Sequence, residues 1–282
     1  LGNRVITQLP DYLITPPLMH INTFDRYEQR HSLIHLLDPR VKVVVTVLFI
    51  VANVLLPDGA WLGFLAAWGL VLLVSSLARL PAAYTFKRAF IVLPFTLAAV
   101  TVLFTLPGEA LLSWQIGSRT LVISDTGLLR FASIVIRSWL SVQMAILLTA
   151  TTQFPDLMHA LTHLRVPAIL VSIIAFMYRY LFVMADEALR LLRAREARSA
   201  RLTRGSSGRS MGWRAKVAGH MVGQLLLRSL DRSDRVYNAM LSRGYDGRLL
   251  TLNPHQMKRH DWLWGASGVV LIGLIQVIGR VF

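Results

Sequence analysis

Arginine is the residue type this sequence places most suggestively. Two short triplets, Ala197-Arg198-Ser199 and Ser242-Arg243-Gly244, each set one arginine between residues small enough to let another surface come close. A guanidinium carries its N–H donors in a rigid plane, stays charged at physiological pH and grips a carboxylate through two parallel hydrogen bonds. The chemistry on offer is docking, not bond-making. Gly244 also suits the left-handed position that closes a helix, leaving Arg243 at the tip. Taken singly, each triplet reads first as a cation compensating a helix C-terminus, worth about 0.3–1 kcal/mol.

Other reactive patterns are sparse. His31 with His35 and His159 with His163 have the spacing that puts both imidazoles on one helix face, as metal ligation prefers, and Asp156 precedes His159 by one turn. Spacing alone is a weak signal, and hydrogen-bonding histidines are the plainer reading, so no metal or cofactor is expected. With no cysteine there is no disulfide, thiolate ligand or cysteine nucleophile. The phosphate-cradling G-x-x-x-x-G-K-[ST], the nucleophile elbow G-x-S-x-G and the zinc motif H-E-x-x-H are all missing. The expectation is a chain that does not hydrolyse ATP unaided and is not an enzyme.

The elements that would position these arginines are apolar. Of 282 residues, 54% are hydrophobic and 16% charged, and the mean hydropathy is +0.52, too apolar for a soluble domain of this length. The runs Val43–Leu56, Trp61–Ala78, Ala89–Leu106, Leu128–Ala150 and Trp262–Val281 approach the roughly 20 residues that cross a bilayer. Pro57-Asp58-Gly59 is a turn signal that makes the first two runs a hairpin. Arg137 falls inside the fourth run, where a charge must face protein or snorkel.

Charge distribution sets the expected orientation. Between Asp186 and His260 there are 16 Lys or Arg and 6 Asp or Glu, so this stretch carries +10 of the net +15. By the positive-inside rule it is cytoplasmic, as is the N-terminus. No base-reading or aromatic-interleaved motif accompanies it, so nucleic acid is not an expected partner. A crossing by Pro167–Ala185 would put the basic block outside. Ala168 to about Arg204 is therefore expected as one long helix along the membrane, and Trp213–Ser242 as a second, amphipathic one. Val217, Met221 and Leu225 form its apolar stripe, with Val222 and Leu226 on the same side. Gly205-Ser206-Ser207-Gly208 is the joint between the two.

The expected fold is all-α, a polytopic membrane protein with about five spanning helices and long cytoplasmic coupling helices. Residues 1–41 form an arm, 42–150 a four-span region, 151–260 the coupling region and 261–282 the last span. A membrane-embedded enzyme acting on a phosphorylated lipid or isoprenoid is the alternative. Asp156, Asp186 and Glu187 are too scattered to make its metal-diphosphate motif. A peripheral scaffold that only binds anionic lipid is the other rival.

Several segments together carry a resemblance. They are Phe24-Asp25-Arg26-Tyr27, the run Ser32–Lys42 with Asp38-Pro39-Arg40, Thr151–Pro155 leading to Leu161 and Pro167, Tyr178-Arg179-Tyr180, and both arginine triplets. Over nearly its whole length the chain resembles the transmembrane T component of energy-coupling-factor transporters, specifically the cobalt-type CbiQ family. The resemblance implies two cytoplasmic ATPase subunits, each receiving one triplet, and a membrane-embedded capture subunit that holds the substrate. It makes Arg198 and Arg243 the coupling arginines, flanked by Ala197, Ser199, Ser242 and Gly244. Ser242 departs from the alanine common at that place but is similarly small.

Overall fold

The computed structural model describes residues 27, 28, 30, 32–105, 107, 110–116, 119–198, 211–247 and 257–281. Phe24, Asp25, Arg26, His31, Ser199 and the Gly205–Gly208 joint, on which expectations were placed, lie outside the described residues. In chain order the elements are α1 (Leu33–Leu36), α2 (Pro39–Val54), α3 (Trp61–Leu77), α4 (Ala82–Ala89), a single turn of 3-10 helix (Phe90–Val92), α5 (Leu93–Ala98) and α6 (Thr101–Thr105). Strands β1 (Ala110–Ile116) and β2 (Arg119–Ser124) follow, then α7 (Asp125–Thr151), α8 (Phe154–His163), α9 (Ala168–Arg198), α10 (Met211–Leu241) and α11 (Arg259–Val281).

The protein is an all-α membrane protein. Its departure from helix is the antiparallel ribbon β1–β2, which occupies the loop before α7. The chain divides into two compact units, one of residues 25–164 with 253–282 and one containing residues 165–252.

The first unit is built around α2, which touches α7, α8 and α11, while α3 touches α7 and α11. Helix starts are set by local chemistry. Asp38 caps α2 through Oδ1, which accepts from the Arg40 N–H at 2.8 Å, with Pro39 in the first turn where its missing donor costs nothing. Ser124 caps α7 by accepting from the Gly127 N–H at 3.1 Å. Phe49, Leu56, Phe64, Val71, Leu140 and Leu147 fill the interior. The outer faces are as apolar as the interior: Val51 and Val54 on α2, Leu62 and Leu65 on α3, and Val270 and Val277 on α11 are all about half exposed or more. Such surface suits contact with hydrocarbon.

α2 and α11 run parallel. The Asp38 N–H donates to Asp261 Oδ1 at 3.3 Å where both helices begin, and farther along Gln276 Nε2 donates to the Ala52 carbonyl. At the far end α3 and α11 cross at two glycines. A Cβ on Gly63 would stand 3.0 Å from the Gly279 Cα, so only hydrogen fits between the backbones.

Length and composition would let α7, α9 and α11 cross a membrane, and α3 is a shorter apolar helix. The third run behaves differently from the single span expected over Ala89–Leu106. It is a chain of short helices resting on α7. Pro94 has no N–H to continue a ladder, and the chain tightens through Ala99 N–H to Thr96 O, Val102 N–H to Ala99 O and Leu103 N–H to Val100 O at 3.0–3.1 Å.

Candidate functional site

α9 and α10 form an antiparallel pair. Ser172 Oγ lies 3.4 Å from the Gly247 carbonyl and Phe176 meets the Tyr245 ring edge-on at 6.5 Å, while farther along α9 Glu187 holds Arg228 of α10. Glu187 is only 16% exposed, also faces Arg190 at 3.5 Å, and stands near the middle of α9 just as Arg228 stands near the middle of α10. A half-buried carboxylate shared by two guanidiniums is a charge-assisted clamp between the helices.

The stripe expected on α10 splits into two. Val217, Met221 and Leu225 are half-buried, with Ser229, Arg232, Val236 and Met240 continuing the same face. Val222 and Leu226 lie on another face, 65% and 60% exposed, with Leu230 and Leu241. Between the two helices is an apolar groove of ≈ 670 Å³ that includes Ile173, Phe176, Met177, Val236 and Met240, with Arg232 and the hydroxyls of Ser229 and Ser233 on its α10 side.

Arg198 is the last residue of α9, and both it and Ala197 are exposed. Ser242, Arg243 and Gly244 are exposed just beyond α10. Gly244 has φ of +81°, its N–H donates to the Leu241 carbonyl, and the Tyr245 N–H donates to the Met240 carbonyl, both at 3.0 Å. This is the two-bond Schellman cap that the glycine implied, and it holds Arg243 at the tip. The two arginines do not converge. Residues 243–247 lie beside the start of α9, whereas Arg198 is about 35 Å farther along it at about 1.5 Å per residue. Two arginines so placed can dock two surfaces.

The first unit holds a polar junction that sequence reasoning did not assemble. Lys42 is 8% exposed, and its Nζ donates to the His35 carbonyl at 3.2 Å and the Thr151 carbonyl at 3.1 Å. Asp261 accepts from the Lys258 and Asp38 N–H groups at 2.8 and 3.3 Å, and the Glu28 N–H donates to the Ala150 carbonyl at 3.1 Å. His35 Nε2 lies 3.1 Å from the Glu28 carbonyl and Nδ1 lies 2.6 Å from Ser32 Oγ. Burial lowers the His35 pKa, and the nearby Lys42 and Arg30 charges act the same way, favouring the neutral ring. The junction thus ties the starts of α2 and α11 to the end of α7. The Asp38-Pro39 cap was the legible part of it.

Arg137 is an anchor. Its Nη2 reaches Asp58 Oδ1 at 2.7 Å, Arg130 Nε stands 3.6 Å from Asp58 Oδ2, and Ser133 Oγ accepts from the Gly59 N–H at 3.1 Å. Together they fasten the Pro57-Asp58-Gly59 turn to α7. The His159 and His163 rings stand 4.6 Å apart, and His163 Nδ1 lies 3.0 Å from the His159 carbonyl, a contact within one helix. Among the described residues no group of three or more His, Cys, Asp or Glu gathers in a way that could hold a metal.

The membrane helices are thus joined in sequence to a clamped helix pair that carries exposed arginines at its ends. Residues 30–254 match the family described as CbiQ, cobalt transport protein. The chain is 33% identical over 174 residues to the cobalt transport protein CbiQ of Rhodobacter capsulatus, spanning 61% of this chain and 68% of that one. It is 26% identical over 268 residues to the energy-coupling factor transporter transmembrane protein EcfT of Lacticaseibacillus paracasei, spanning 90% and 97%. An uncharacterized protein of Methanocaldococcus jannaschii is 24% identical over 261 residues, spanning 91% and 86%. The chain belongs to the CbiQ family and is a transmembrane component of an energy-coupling-factor transporter.

Proposed function

We propose that this chain is the non-enzymatic coupling subunit of an energy-coupling-factor importer for cobalt ions. It carries the stroke of two cytoplasmic ATPase subunits to a membrane-embedded capture subunit. The observation that carries the reading is the placement of Arg198 and Arg243, both exposed, at well-separated points of the α9–α10 pair. In this reading Ala197, Arg198 and Ser199 enter one ATPase, and Ser242, Arg243 and Gly244 enter the other. The small flanking residues allow close approach, and the planar fork suits a buried carboxylate.

The Glu187–Arg228 clamp makes the two helices answer each other, so a change in the distance between the ATPases becomes a change in the angle or separation of α9 and α10. The apolar groove between them gives a membrane subunit a surface that responds to that change. The basic block and the N-terminus face the cytoplasm, in keeping with the +10 stretch. Cobalt as cargo rests on the names of the family and of the Rhodobacter capsulatus relative. The ion belongs to the capture subunit, and α9 and α10 act on it only through that subunit.

The test is co-purification in detergent with the candidate ATPases, comparing the unaltered chain with an Arg198→Ala/Arg243→Ala double variant. Each truncation is expected to cost about 2–5 kcal/mol of docking, because it leaves a buried carboxylate unpaired. Loss of the complex with an unchanged elution profile of the variant supports the reading. Undiminished binding returns both arginines to helix-end compensation.

A further inference from the structure

A second furrow, of ≈ 640 Å³, follows α2 and α11 and is bounded at one end by His163 and Leu164 at the end of α8. Its floor is where the two helices touch: a Cβ on Gly265 would meet Val41 Cγ1 at 3.1 Å. Its walls are Val44, Val45, Val269 and Val270, and Val44, Val269 and Val270 are 43%, 45% and 65% exposed. Because α2 and α11 are parallel and start together, the furrow has a polar end and an apolar end.

At the polar end are Arg40, His163 and the exposed indole of Trp262. Lys258, Arg259 and His260 are exposed immediately before Asp261 and Trp262. The acids there are already engaged. Asp38 is 2% exposed and caps α2, with Arg40 Nε 3.8 Å from its Oδ1; Asp261 is 7% exposed and accepts the Lys258 and Asp38 N–H groups. Asp261 lines the furrow with both carboxylate oxygens already accepting those N–H groups, and Arg40 stands beside Asp38, so the exposed positive charge at the mouth comes from Lys258 and Arg259. An aromatic ring at the same level is the arrangement found where a helix leaves hydrocarbon for headgroups.

We propose that this furrow binds one anionic phospholipid from the surrounding bilayer. An acyl chain lies against Val44, Val45, Val269 and Val270, and the phosphate sits at the mouth beside the exposed Lys258 and Arg259. A zwitterionic lipid offers the same chain and phosphate but adds a cation that this mouth repels, so selectivity follows net headgroup charge. The site lies on α2 and α11 and is separate from the coupling arginines, so it stands or falls independently of them.

The test is native mass spectrometry of the delipidated full chain after exposure to phosphatidylglycerol or phosphatidylcholine in the same detergent. Phosphatidylglycerol is expected to be retained and phosphatidylcholine lost. Lys258→Gln/Arg259→Gln should weaken retention by about fivefold per cation removed. Ala266→Trp, which fills the exposed furrow and leaves every charge in place, should abolish it. Equal retention of both lipids overturns the proposal. So does full retention in Ala266→Trp, which means attraction to a basic surface without occupation of the furrow. Should Ala266→Trp not fold, the unaltered chain is cross-linked with phosphatidylglycerol bearing a diazirine on its acyl chain. Adducts concentrated on residues 41–45 and 266–270 support the site, and adducts spread evenly over α2, α3 and α11 overturn it.

Discussion

Glu187 is a single residue on which two helices depend. Its carboxylate is largely buried and shared between Arg228 of α10 and Arg190 of its own helix. Glu187→Gln keeps the shape and one hydrogen bond but removes the charge that holds both guanidiniums. Under the coupling role proposed above, assembly with the ATPases should persist, since the arginine tips are untouched, while ATP-driven uptake falls by about three- to tenfold, the range of a modest change in coupling energy. Uptake in vesicles at fixed ATPase content checks this, and unchanged uptake would remove Glu187 from the transmission path. Residues 187 and 228 were both visible as charges in a basic stretch, yet their pairing was not legible because it joins positions 41 apart. Gly244 was legible for the opposite reason, since its cap is made entirely with its own helix.

Among the elements, the α3–α11 crossing makes the sharpest prediction. Gly63 stands against the Gly279 backbone, which cannot rotate away as a side chain would, whereas a Cβ on Gly69 of the same helix would meet nothing within 4 Å. Gly63→Val is expected to force the helices apart and cost about 1–3 kcal/mol, with Gly69→Val near neutral. Melting in detergent compares the two directly, and equal shifts would mean that helix propensity alone is at work. Apolar runs located α2, α3, α7 and α11, because length and hydropathy are local properties, but α2, α7 and α11 each begin about a turn earlier, at Pro39, Asp125 and Arg259, where polar and capping residues start the helix. They failed for Ala89–Leu106, where Pro94 and the tight turns at Thr96–Leu103 break the run and packing against α7 compensates. The β1–β2 ribbon was equally hidden, its pairing being a property of two segments together.

For the molecule as a whole, composition was enough to assign a membrane class, and the resemblance carried by the arginine triplets and the Ser32–Lys42 run led to the family that residues 30–254 match. The expected orientation came from the basic stretch through the positive-inside rule, and the expected roles of Arg198 and Arg243 came from the resemblance alone, since nothing among the described residues pairs with them across the fold. The first unit is discontinuous in sequence. It is assembled from residues 25–164 and 253–282, and His163, Leu164 and Met257 line the same furrow, so the chain leaves and rejoins this unit at neighbouring places. Residues 165–252 are thus spliced into a host fold as a cassette. Replacing them with a short Gly/Ser linker should leave a chain that still inserts and melts cooperatively, as domain insertions at such adjoining ends generally allow. Failure to accumulate in the membrane would show that the cassette is needed to fold its host. If the host survives, arms could be exchanged between relatives without redesigning the membrane helices, a route by which one scaffold could acquire new motors and cargoes.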